Sequence, residues 1–431
     1  MSPGPAGTLA DAEAEVAHDP QPVVPIVSVD DHVIEPADAF AGRLPARLAE
    51  RAPHLVEVDE AELHTMLGAN FDKWNPEINA MVGGSSAPRG PRQAWLLDGR
   101  LHPIYGMDSC MGRPVEEWGM RPLRLDEIRR GSWDADARVA DMDAAGVLAS
   151  LNFPSMWIGF CGTTLLTLPD VELGRAVLRA WNDWHLEAWA GSHPGRFIPI
   201  QLPAMWDVEE AATEIRANAA RGVRAVSFSE DPTGQGFASI HSGAWDPFFQ
   251  ACEETGTVVC LHAGSKGRTL DTTPDAPLEV AQTLFPVSAM VTAVDWLWSR
   301  VPVRFPRLRI ALSEGGVGWL PLAMDWMDHT FLTHNRWTHG WDGIDLLPSE
   351  VLLRNFWFCT IDEPRGLPAV AGAVGVDKLM LEVDYPHADS TWPRSQEHLR
   401  AAAASLSAAD VARIAWGNAC ELFGHPGPAA R

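Results

Sequence analysis

The sequence predicts an α/β fold in which eight parallel strands and their helices close into a slightly distorted (β/α)8 barrel. Two observations indicate this class: eight short, almost continuously apolar runs recur along the chain, and longer stretches of helical character separate them. The strands are expected at residues 25–29, 147–153, 197–202, 225–228, 258–261, 309–312, 355–359 and 379–383. An open, doubly wound sheet is the alternative, but neither a G-x-G-x-x-G nor a P-loop motif follows any early strand.

Capping residues mark the helices between these strands. The helix before the second strand begins in the Ser/Asp-rich segment 132–136 and stops at Gly146. Asp207 opens a later helix that stops at Gly222, and residues 245–255 form a helix that ends at Gly256. These helix start and stop residues support the predicted alternation of strands and helices.

One interval is too long for an ordinary connection between a strand and a helix. Roughly a hundred residues separate the first strand from the helix near Ser132. We interpret residues 42–131 as an insertion that caps the C-terminal mouth of the barrel, with a hairpin around Asp98-Gly99 and a Pro/Gly/Ser-rich run at 83–91. A decorative or dimer-forming insertion is the alternative. Residues 1–23 are expected to be a disordered or extended leader, and residues 24–431 a single domain.

The composition limits the kinds of partner and the cellular compartment that can be expected for this protein. With 33 basic and 57 acidic side chains the formal charge is −24, which argues against nucleic acid and anionic membranes as partners. The six cysteines include no C-x-x-C pair and suit a reducing cytoplasm, and no run of 18 apolar residues predicts a membrane span. We therefore expect a cytoplasmic protein whose partner is a small-molecule substrate.

Chemically active side chains follow several of the predicted strands. In chain order they are Asp30 and His32, Glu230, His262, Glu314, and finally Asp384 with His387. On a barrel such strand ends converge at one mouth, where active sites lie. The imidazoles of His32 and His262 and the carboxylates of Asp30 and Asp384 form a ligand mixture that suits zinc, manganese or iron. Because strand residues alternate between faces, Asp31 is expected to point away from this cluster.

The motifs around these residues together resemble the amidohydrolase superfamily. The similarity is to the amidohydrolase-related branch that contains aminocarboxymuconate-semialdehyde decarboxylase and γ-resorcylate decarboxylase, and it covers residues 24–423. The motifs are Asp30-x-His32-x-x-Glu35-Pro36, Leu261-His262, Ser313-Glu314-Gly315-Gly316 and Asp384-Tyr385-Pro386-His387. The resemblance implies a barrel fold, metal-dependent catalysis and a homo-oligomer, with a dimer expected.

The resemblance also assigns site residues, with two departures from the family pattern. The metal ligands fall on Asp30, His32, His262 and Asp384, so that an aspartate stands where relatives have the first histidine. Glu314 stands where the decarboxylases have a sixth-strand histidine. The strand-four lysine of two-metal members has no counterpart, so a single divalent ion is expected, zinc by preference, with manganese or iron as alternatives.

The predicted function is a metal-dependent hydrolase or carbon–carbon lyase acting on a small carboxylated or carbonyl-containing molecule, with aromatic molecules among the candidates. Two reactions remain as alternatives: metal-assisted decarboxylation, as in a non-oxidative decarboxylase, and attack by metal-activated water, as in a hydrolase or hydratase. A third alternative is a barrel that binds a ligand without catalysis. Asp384, Glu314 and His262 are the expected catalytic groups. The expected substrate contacts are His387, Glu230, Trp95 and Arg100.

Overall fold

The computed structural model describes residues 22–59, 63, 90–115, 118–119, 122–267, 270, 272–273 and 275–428. The predicted leader, apart from its last two residues, lies outside the described residues, as does most of the Pro/Gly/Ser-rich run at 83–91.

All eight predicted strands are present, the third of them in two pieces. The strands are β1 Ile26–His32, β2 His54–Val58, β3 Arg92–Leu97, β4 Arg100–Tyr105, β5 Pro122–Leu123, β6 Val147–Phe153, β7 Phe197–Ile198, β8 Ile200–Gln201, β9 Ala225–Phe228, β10 Val258–His262, β11 Ile310–Ser313, β12 Phe356–Thr360 and β13 Leu379–Leu381. The strands predicted from continuous apolar runs are almost wholly buried, as expected for strands covered on both faces.

Helices separate the buried strands. The α-helices are α1 Ala135–Ala145, α2 Thr163–Leu166, α3 Val171–Trp184, α4 Val208–Ala220, α5 Asp246–Thr255, α6 Leu278–Trp298, α7 Val301–Arg304, α8 Leu320–Thr338, α9 Pro348–Asn355, α10 Gly366–Val374, α11 Ser395–Ala402, α12 Ala408–Ala412 and α13 Asn418–Phe423. The predicted caps are confirmed: Asp134 and Asp207 accept hydrogen bonds from the first turns of α1 and α4, and left-handed Gly146 and Gly256 end α1 and α5.

The parallel strands form two sheets, in the orders β1-β6-β7 and β13-β12-β11-β10-β9-β8. The sheets separate at Pro199, which has no N–H to continue a ladder. At the other junction, the Asp384 N–H donates to the Asp30 carbonyl at 2.9 Å and the His32 N–H donates to the Tyr385 carbonyl at 2.7 Å. The predicted α/β class and strand order are confirmed, but the described strands do not form one continuous hydrogen-bonded barrel sheet.

The long insertion contains an antiparallel sheet in the order β2-β3-β4-β5. The predicted hairpin is present, and Asp98 and Gly99 adopt the positive φ values of its tight turn. The Cys110 N–H donates to the Pro386 carbonyl at 2.8 Å, and Asp108 accepts from the Met156 N–H at 3.0 Å. These contacts fix the insertion to the loops that follow β13 and β6.

Glu35 joins the chain after β1 to two other elements. Its buried carboxylate accepts hydrogen bonds from Ser155 Oγ at 2.5 Å and from Trp181 Nε1 at 2.8 Å. Burial raises the pKa of Glu35 to about 6, although these two hydrogen bonds oppose the rise. Glu35 therefore anchors the start of the insertion to the loop after β6 and to α3.

Hydropathy singles out one helix in the described part of the chain. Residues Glu279–Trp298 of α6 have a mean hydropathy of 1.3, and by length and composition this helix could cross a membrane. Core helices of soluble proteins pass the same test, but only a third of this window is buried.

Replacing Glu35 by alanine should lower stability, because a buried hydroxyl and a buried indole N–H would lose their common acceptor. We expect a loss of about 2 to 4 kcal/mol in the free energy of unfolding, measured by denaturant titration. Glu50→Ala, at an exposed position, is the control and should change stability by less than about 0.5 kcal/mol. Equal effects of the two substitutions would contradict the anchoring role.

Candidate metal centre

Four of the predicted site residues meet at the carboxyl ends of the parallel strands. Asp30 and His32 lie two apart at the end of β1 and so share a face, and His262 is the last residue of β10. Asp384 follows β13 by three residues. All four side chains are buried. The strand-end positions therefore place their polar groups at one point in the interior.

The distances among these groups are short. His32 Nε2 lies 3.2 Å from Asp384 Oδ1 and 3.5 Å from Asp30 Oδ1. His262 Nε2 lies 3.4 Å from Asp30 Oδ2 and 3.4 Å from His32 Nε2. One ligand atom each from Asp30, His32 and His262 can be chosen within 4.8 Å of the others.

This donor set fits a divalent cation. Apart from the imidazole contacts, the carboxylate oxygens of Asp30 and Asp384 have no hydrogen-bond partner among the residues that the structure describes. Buried carboxylates without donors are unfavourable unless a positive charge compensates them. His262 Nδ1 lies 2.7 Å from the Ala263 carbonyl oxygen, so that this nitrogen donates and Nε2 faces the carboxylates with a free lone pair.

Electrostatics in the cluster are dominated by burial and by mutual repulsion of the acids. Burial and then the charges of Glu382 and Asp384 raise the pKa of Asp30 well above its ordinary value. Burial also raises the pKa of Asp384, but the charge and hydrogen bonds of His387 and His32 outweigh it and lower that pKa. Within the described residues, neither aspartate forms an ion pair with a lysine or an arginine.

Burial favours the neutral form of the two strand-end imidazoles. Burial and the neighbouring His387 lower the pKa of His32 to about 4, and burial and His32 lower the pKa of His262 well below its ordinary value. A neutral imidazole is the form of histidine that binds a metal ion.

Glu314 joins the cluster from the end of β11. Its Oε2 lies 3.5 Å from His262 Nε2, and its backbone has a φ of 54°. Its N–H donates to Oε2 of buried Glu382 at 3.0 Å, which holds this left-handed conformation. Glu382 was not predicted as a site residue. Its position at the end of the eighth predicted strand, where functional residues of a barrel lie, was a usable signal.

His387 packs directly against the metal-ligand candidates. Its ring stacks on that of His32 with centroids 3.7 Å apart, and its Nδ1 lies 3.1 Å from Asp384 Oδ1. Burial lowers the pKa of His387, but the charges and hydrogen bond of Asp384, with the charge of Asp108, raise it overall above its ordinary value. His387 is therefore the imidazole of this cluster that favours a positive charge.

Phe160, which sequence reasoning missed, covers the imidazole of His262. Its ring stacks on that of His262 with centroids 3.7 Å apart and meets His32 edge-on at 5.7 Å. It lies in the loop after β6, beside Cys161 with a φ of 52°. A single aromatic residue in an irregular loop has no periodicity to mark it, so no sequence signal was available.

Glu230, a predicted substrate contact, is already engaged within the protein. Its carboxylate accepts hydrogen bonds from the Gly264 N–H at 2.9 Å and from Thr292 Oγ1 at 2.6 Å, and Lys266 Nζ lies 3.8 Å away. These contacts fix the loop after β10 to α6. His262 is the last residue of β10, directly before this loop.

The remaining predicted residues occupy different environments. Trp95 is fully buried in the insertion and stacks on Trp157 with centroids 4.9 Å apart. Arg100 is exposed at the start of β4, and no described contact joins it to the four strand-end ligands. Asp31 faces away, as predicted: its Oδ1 accepts from Ser28 Oγ at 2.9 Å and from the Tyr385 N–H at 3.1 Å.

The fold and the site together define a class of protein. It is a parallel α/β protein with a candidate metal site of imidazoles and carboxylates at the carboxyl ends of its strands. The chain belongs to the amidohydrolase family, whose model matches residues 97–425. The predicted family is therefore confirmed, and the predicted enzyme type, a metal-dependent hydrolase or carbon–carbon lyase, agrees with it.

The chain is also similar to individual known proteins. The chain is 24% identical over 352 residues to the γ-resorcylate decarboxylase of Polaromonas sp. strain JS666, covering 74% of this chain and 94% of that protein. An amidohydrolase from Mycobacterium avium subsp. paratuberculosis K-10 superposes with a TM-score of 0.64 at 20% identity, covering 94% and 99% of the two chains. A dihydroxybenzoic acid decarboxylase from Polaromonas sp. JS666, with bound manganese and 2-nitroresorcinol, superposes with a TM-score of 0.55 at 22% identity, covering 74% and 92%.

Strand alternation supplies a matched pair of variants for the metal site. Asp30→Asn should weaken metal binding by more than about 100-fold, because it removes an anionic ligand candidate. Asp31→Asn should leave the affinity unchanged, because an amide oxygen can still accept from Ser28 and from the Tyr385 N–H. Calorimetric titration with Mn²⁺ and Zn²⁺, and metal analysis of the purified proteins, measure both effects. Equal metal content in the two variants would reject the assignment of Asp30.

Proposed function

We propose that this protein is a metal-dependent decarboxylase of small aromatic carboxylic acids. The observation that carries the proposal is the convergence of imidazoles on two buried aspartates whose carboxylate oxygens contact no other polar side chain in the described chain. The choice of reaction is supported by the relatives, because the curated one is a decarboxylase of a resorcylate and a solved one is a decarboxylase of a dihydroxybenzoic acid.

One divalent ion would be held by Asp30, His32, His262 and Asp384. When bound, it supplies Lewis acidity, which polarises a carboxylate or carbonyl group and lowers the pKa of bound water. The sequence alone favoured zinc. The same mixture of nitrogen and oxygen donors suits manganese, which the dihydroxybenzoic acid decarboxylase structure contains.

His387 is assigned to binding the anionic substrate. Glu314 cannot hold a carboxylate as the family's histidine does, because it is itself acidic. His387 carries the raised pKa of the cluster, and its side chain is partly exposed. We infer that its positive charge orients the substrate carboxylate.

Decarboxylation breaks the bond between the ring carbon and the carboxylate, and the electron pair stays on the ring carbon. Carbon dioxide leaves, and a proton must reach that carbon to complete the product. Glu314 is partly exposed beside His262 and is assigned as the proton donor, while buried Asp384 is the second candidate carrier. His262 holds its Nε2 towards Glu314 and Asp30 through its hydrogen bond to Ala263.

The insertion at 42–131 is proposed to cap the substrate pocket. Its contacts through Asp108 and Cys110 reach the loops that bear Phe160 and His387. Trp95 would then act indirectly, by packing under Trp157 in the loop that also carries Phe160. Glu230 is assigned the role of fixing the loop after β10. Substrate contact by Arg100, and a cytoplasmic location, stay predictions.

Hydrolysis of a carbonyl substrate is the second candidate, and Glu314 is the observation that favours it. A carboxylate 3.5 Å from a candidate ligand nitrogen is suited to accept a proton from water.

Turnover of aromatic acids should distinguish the two reactions. Incubation of the metal-loaded protein with 2,6-dihydroxybenzoate in D₂O should release carbon dioxide and give a product with one deuterium at the former carboxyl carbon. Mass spectrometry measures both, and a panel of hydroxylated and methoxylated benzoates extends the search. A hydrolase would instead transfer ¹⁸O from labelled water into the product of an ester or amide, without release of carbon dioxide.

Glu314→Gln should lower kcat by about 100-fold or more, because it removes a general acid, while bound metal is retained. Asp389→Asn is the control: it removes a neighbouring exposed negative charge but leaves the Glu314 carboxyl in place. Steady-state kinetics and metal analysis of the same preparations measure the two quantities. Full activity in Glu314→Gln would exclude Glu314 as the proton donor.

A further inference from the structure

A buried ion pair lies beside the loop that follows β10. Glu230, two residues after β9, and Lys266, in that loop, are only 3% and 7% exposed. The Lys266 Nζ lies 3.8 Å from Glu230 Oε1 and donates a hydrogen bond to Ser288 Oγ at 2.6 Å. Taking charges out of water is unfavourable by several kcal/mol per ion, and neutral side chains of similar volume avoid this penalty. The two charges themselves therefore require an explanation.

Glu230 contacts one particular peptide unit of this loop. Its Oε2 accepts a hydrogen bond from the Gly264 N–H at 2.9 Å. The carbonyl group of the same peptide unit belongs to Ala263, and its oxygen accepts a hydrogen bond from His262 Nδ1 at 2.7 Å. The carboxylate of Glu230 and the imidazole of His262 are thus joined through the two ends of one amide group.

Hydrogen bonds in such a chain strengthen one another. A negative charge at the N–H end of an amide polarises the group, so that its carbonyl oxygen becomes a stronger acceptor. A stronger acceptor at Nδ1 fixes the tautomer and orientation of a ligating histidine and raises the basicity of its other nitrogen. In His262 that other nitrogen is Nε2, which lies 3.4 Å from Asp30 Oδ2. The charge of Glu230 therefore acts on the nitrogen that is assigned to the metal ion.

Glu230 is itself held in place on several sides. Its N–H donates to Ser265 Oγ at 2.9 Å, and its carbonyl oxygen accepts from Trp296 Nε1 at 2.9 Å. Burial raises the pKa of Glu230, while the charge of Lys266 and the hydrogen bond from Thr292 oppose the rise. Lys266 thus favours the charged form of the carboxyl group on which the polarisation depends.

We propose that Glu230 is a positioning residue of the metal site, which orients His262 and strengthens its affinity for the metal ion through the peptide unit between Ala263 and Gly264. This inference rests on the metal site of the proposed function, and it goes beyond anchoring of the loop because it requires the negative charge of Glu230. Substrate contact, the role predicted from the sequence, is the alternative, and the side chain of Glu230 is 2% exposed.

The metal affinity of Glu230→Gln, measured on the full chain, tests the proposal. Glutamine keeps the volume and an oxygen that can accept from the Gly264 N–H, but it removes the charge. Competition with a chelating dye for Mn²⁺ and for Zn²⁺ should show an affinity lowered by about 10- to 100-fold, as for other partners of ligating histidines. Thr292→Val is the matched control: it removes a hydrogen bond to the same carboxylate, keeps the charge, and should leave the affinity nearly unchanged.

A double variant separates the charge of Glu230 from its structural contacts. Glu230→Gln alone leaves the Lys266 ammonium buried without a neighbouring negative charge, which can unfold the protein. Glu230→Gln/Lys266→Met removes both charges with little change in volume, and it should lose as much metal affinity as Glu230→Gln. Circular dichroism and thermal unfolding of the metal-free proteins establish that each variant is folded. A folded double variant with the affinity of the wild type would overturn the proposal.

Nuclear magnetic resonance gives a signature that anchoring of the loop alone would not change. In Zn²⁺-loaded protein labelled with ¹⁵N-histidine, the His262 Nδ1–H signal is assigned by its absence from His262→Gln. This signal should move upfield in Glu230→Gln/Lys266→Met, because the acceptor at Ala263 is weakened, and it should keep its position in Thr292→Val. An unmoved signal in the double variant would contradict the polarisation of the peptide unit.

The remaining outcomes separate this proposal from the proposed function. A raised KM with unchanged metal affinity in Glu230→Gln would assign Glu230 to substrate contact and overturn the proposal. Wild-type protein that binds neither Mn²⁺ nor Zn²⁺ would overturn it together with the metal site. Because the affinity is measured without substrate, the expected loss of affinity in a protein that releases no carbon dioxide from any benzoate would contradict only the proposed reaction.

Discussion

The site depends on one electrostatic constraint: two aspartates are buried side by side, and in the described chain only imidazoles form polar side-chain contacts with their carboxylates. Asp30 lies in the first parallel strand and Asp384 in the segment after the last, and the Asp384 N–H is hydrogen-bonded to the Asp30 carbonyl at 2.9 Å. Backbone hydrogen bonding therefore forces their carboxylates together, against mutual repulsion and the loss of hydration. His32 and His262, whose pKa values are lowered, add no positive charge, and His387 can balance only one of the two negative charges. The arrangement is therefore favourable only with a cation or with bound protons.

The reverse side of β1 explains why this arrangement can be rigid. Asp31 accepts hydrogen bonds from Ser28 and from the Tyr385 N–H, and Arg138 Nη2 donates to the His32 carbonyl at 2.6 Å. The same strand thus presents ligands on one face and is fixed to the core on the other. Ligands held in this way cannot move apart to relieve repulsion, which favours selective binding of a metal ion over collapse of the site.

The sequence revealed those features that depend on local periodicity. Continuous apolar runs located all eight strands, alternation separated Asp30 from Asp31, and the strand-end rule selected His262. Features that depend on contacts distant in sequence were not accessible. The stacking of Phe160 on His262 joins residues about a hundred positions apart, and the hydrogen bond between Asp384 and Asp30 joins segments at the two ends of the domain.

Glu314 shows how one departure from the family pattern redistributes charge in the site. A histidine at this position could accept a proton and attract an anionic substrate, whereas a glutamate adds a further acid to a cluster that already contains Asp30 and Asp384. The attraction must then come from elsewhere. His387 is placed for it, because it stacks on His32 and its pKa is raised by Asp384. Exchange of imidazole for carboxylate at the end of β11 is thus compatible with the proposed anionic substrate because the segment after β13 supplies another imidazole, that of His387.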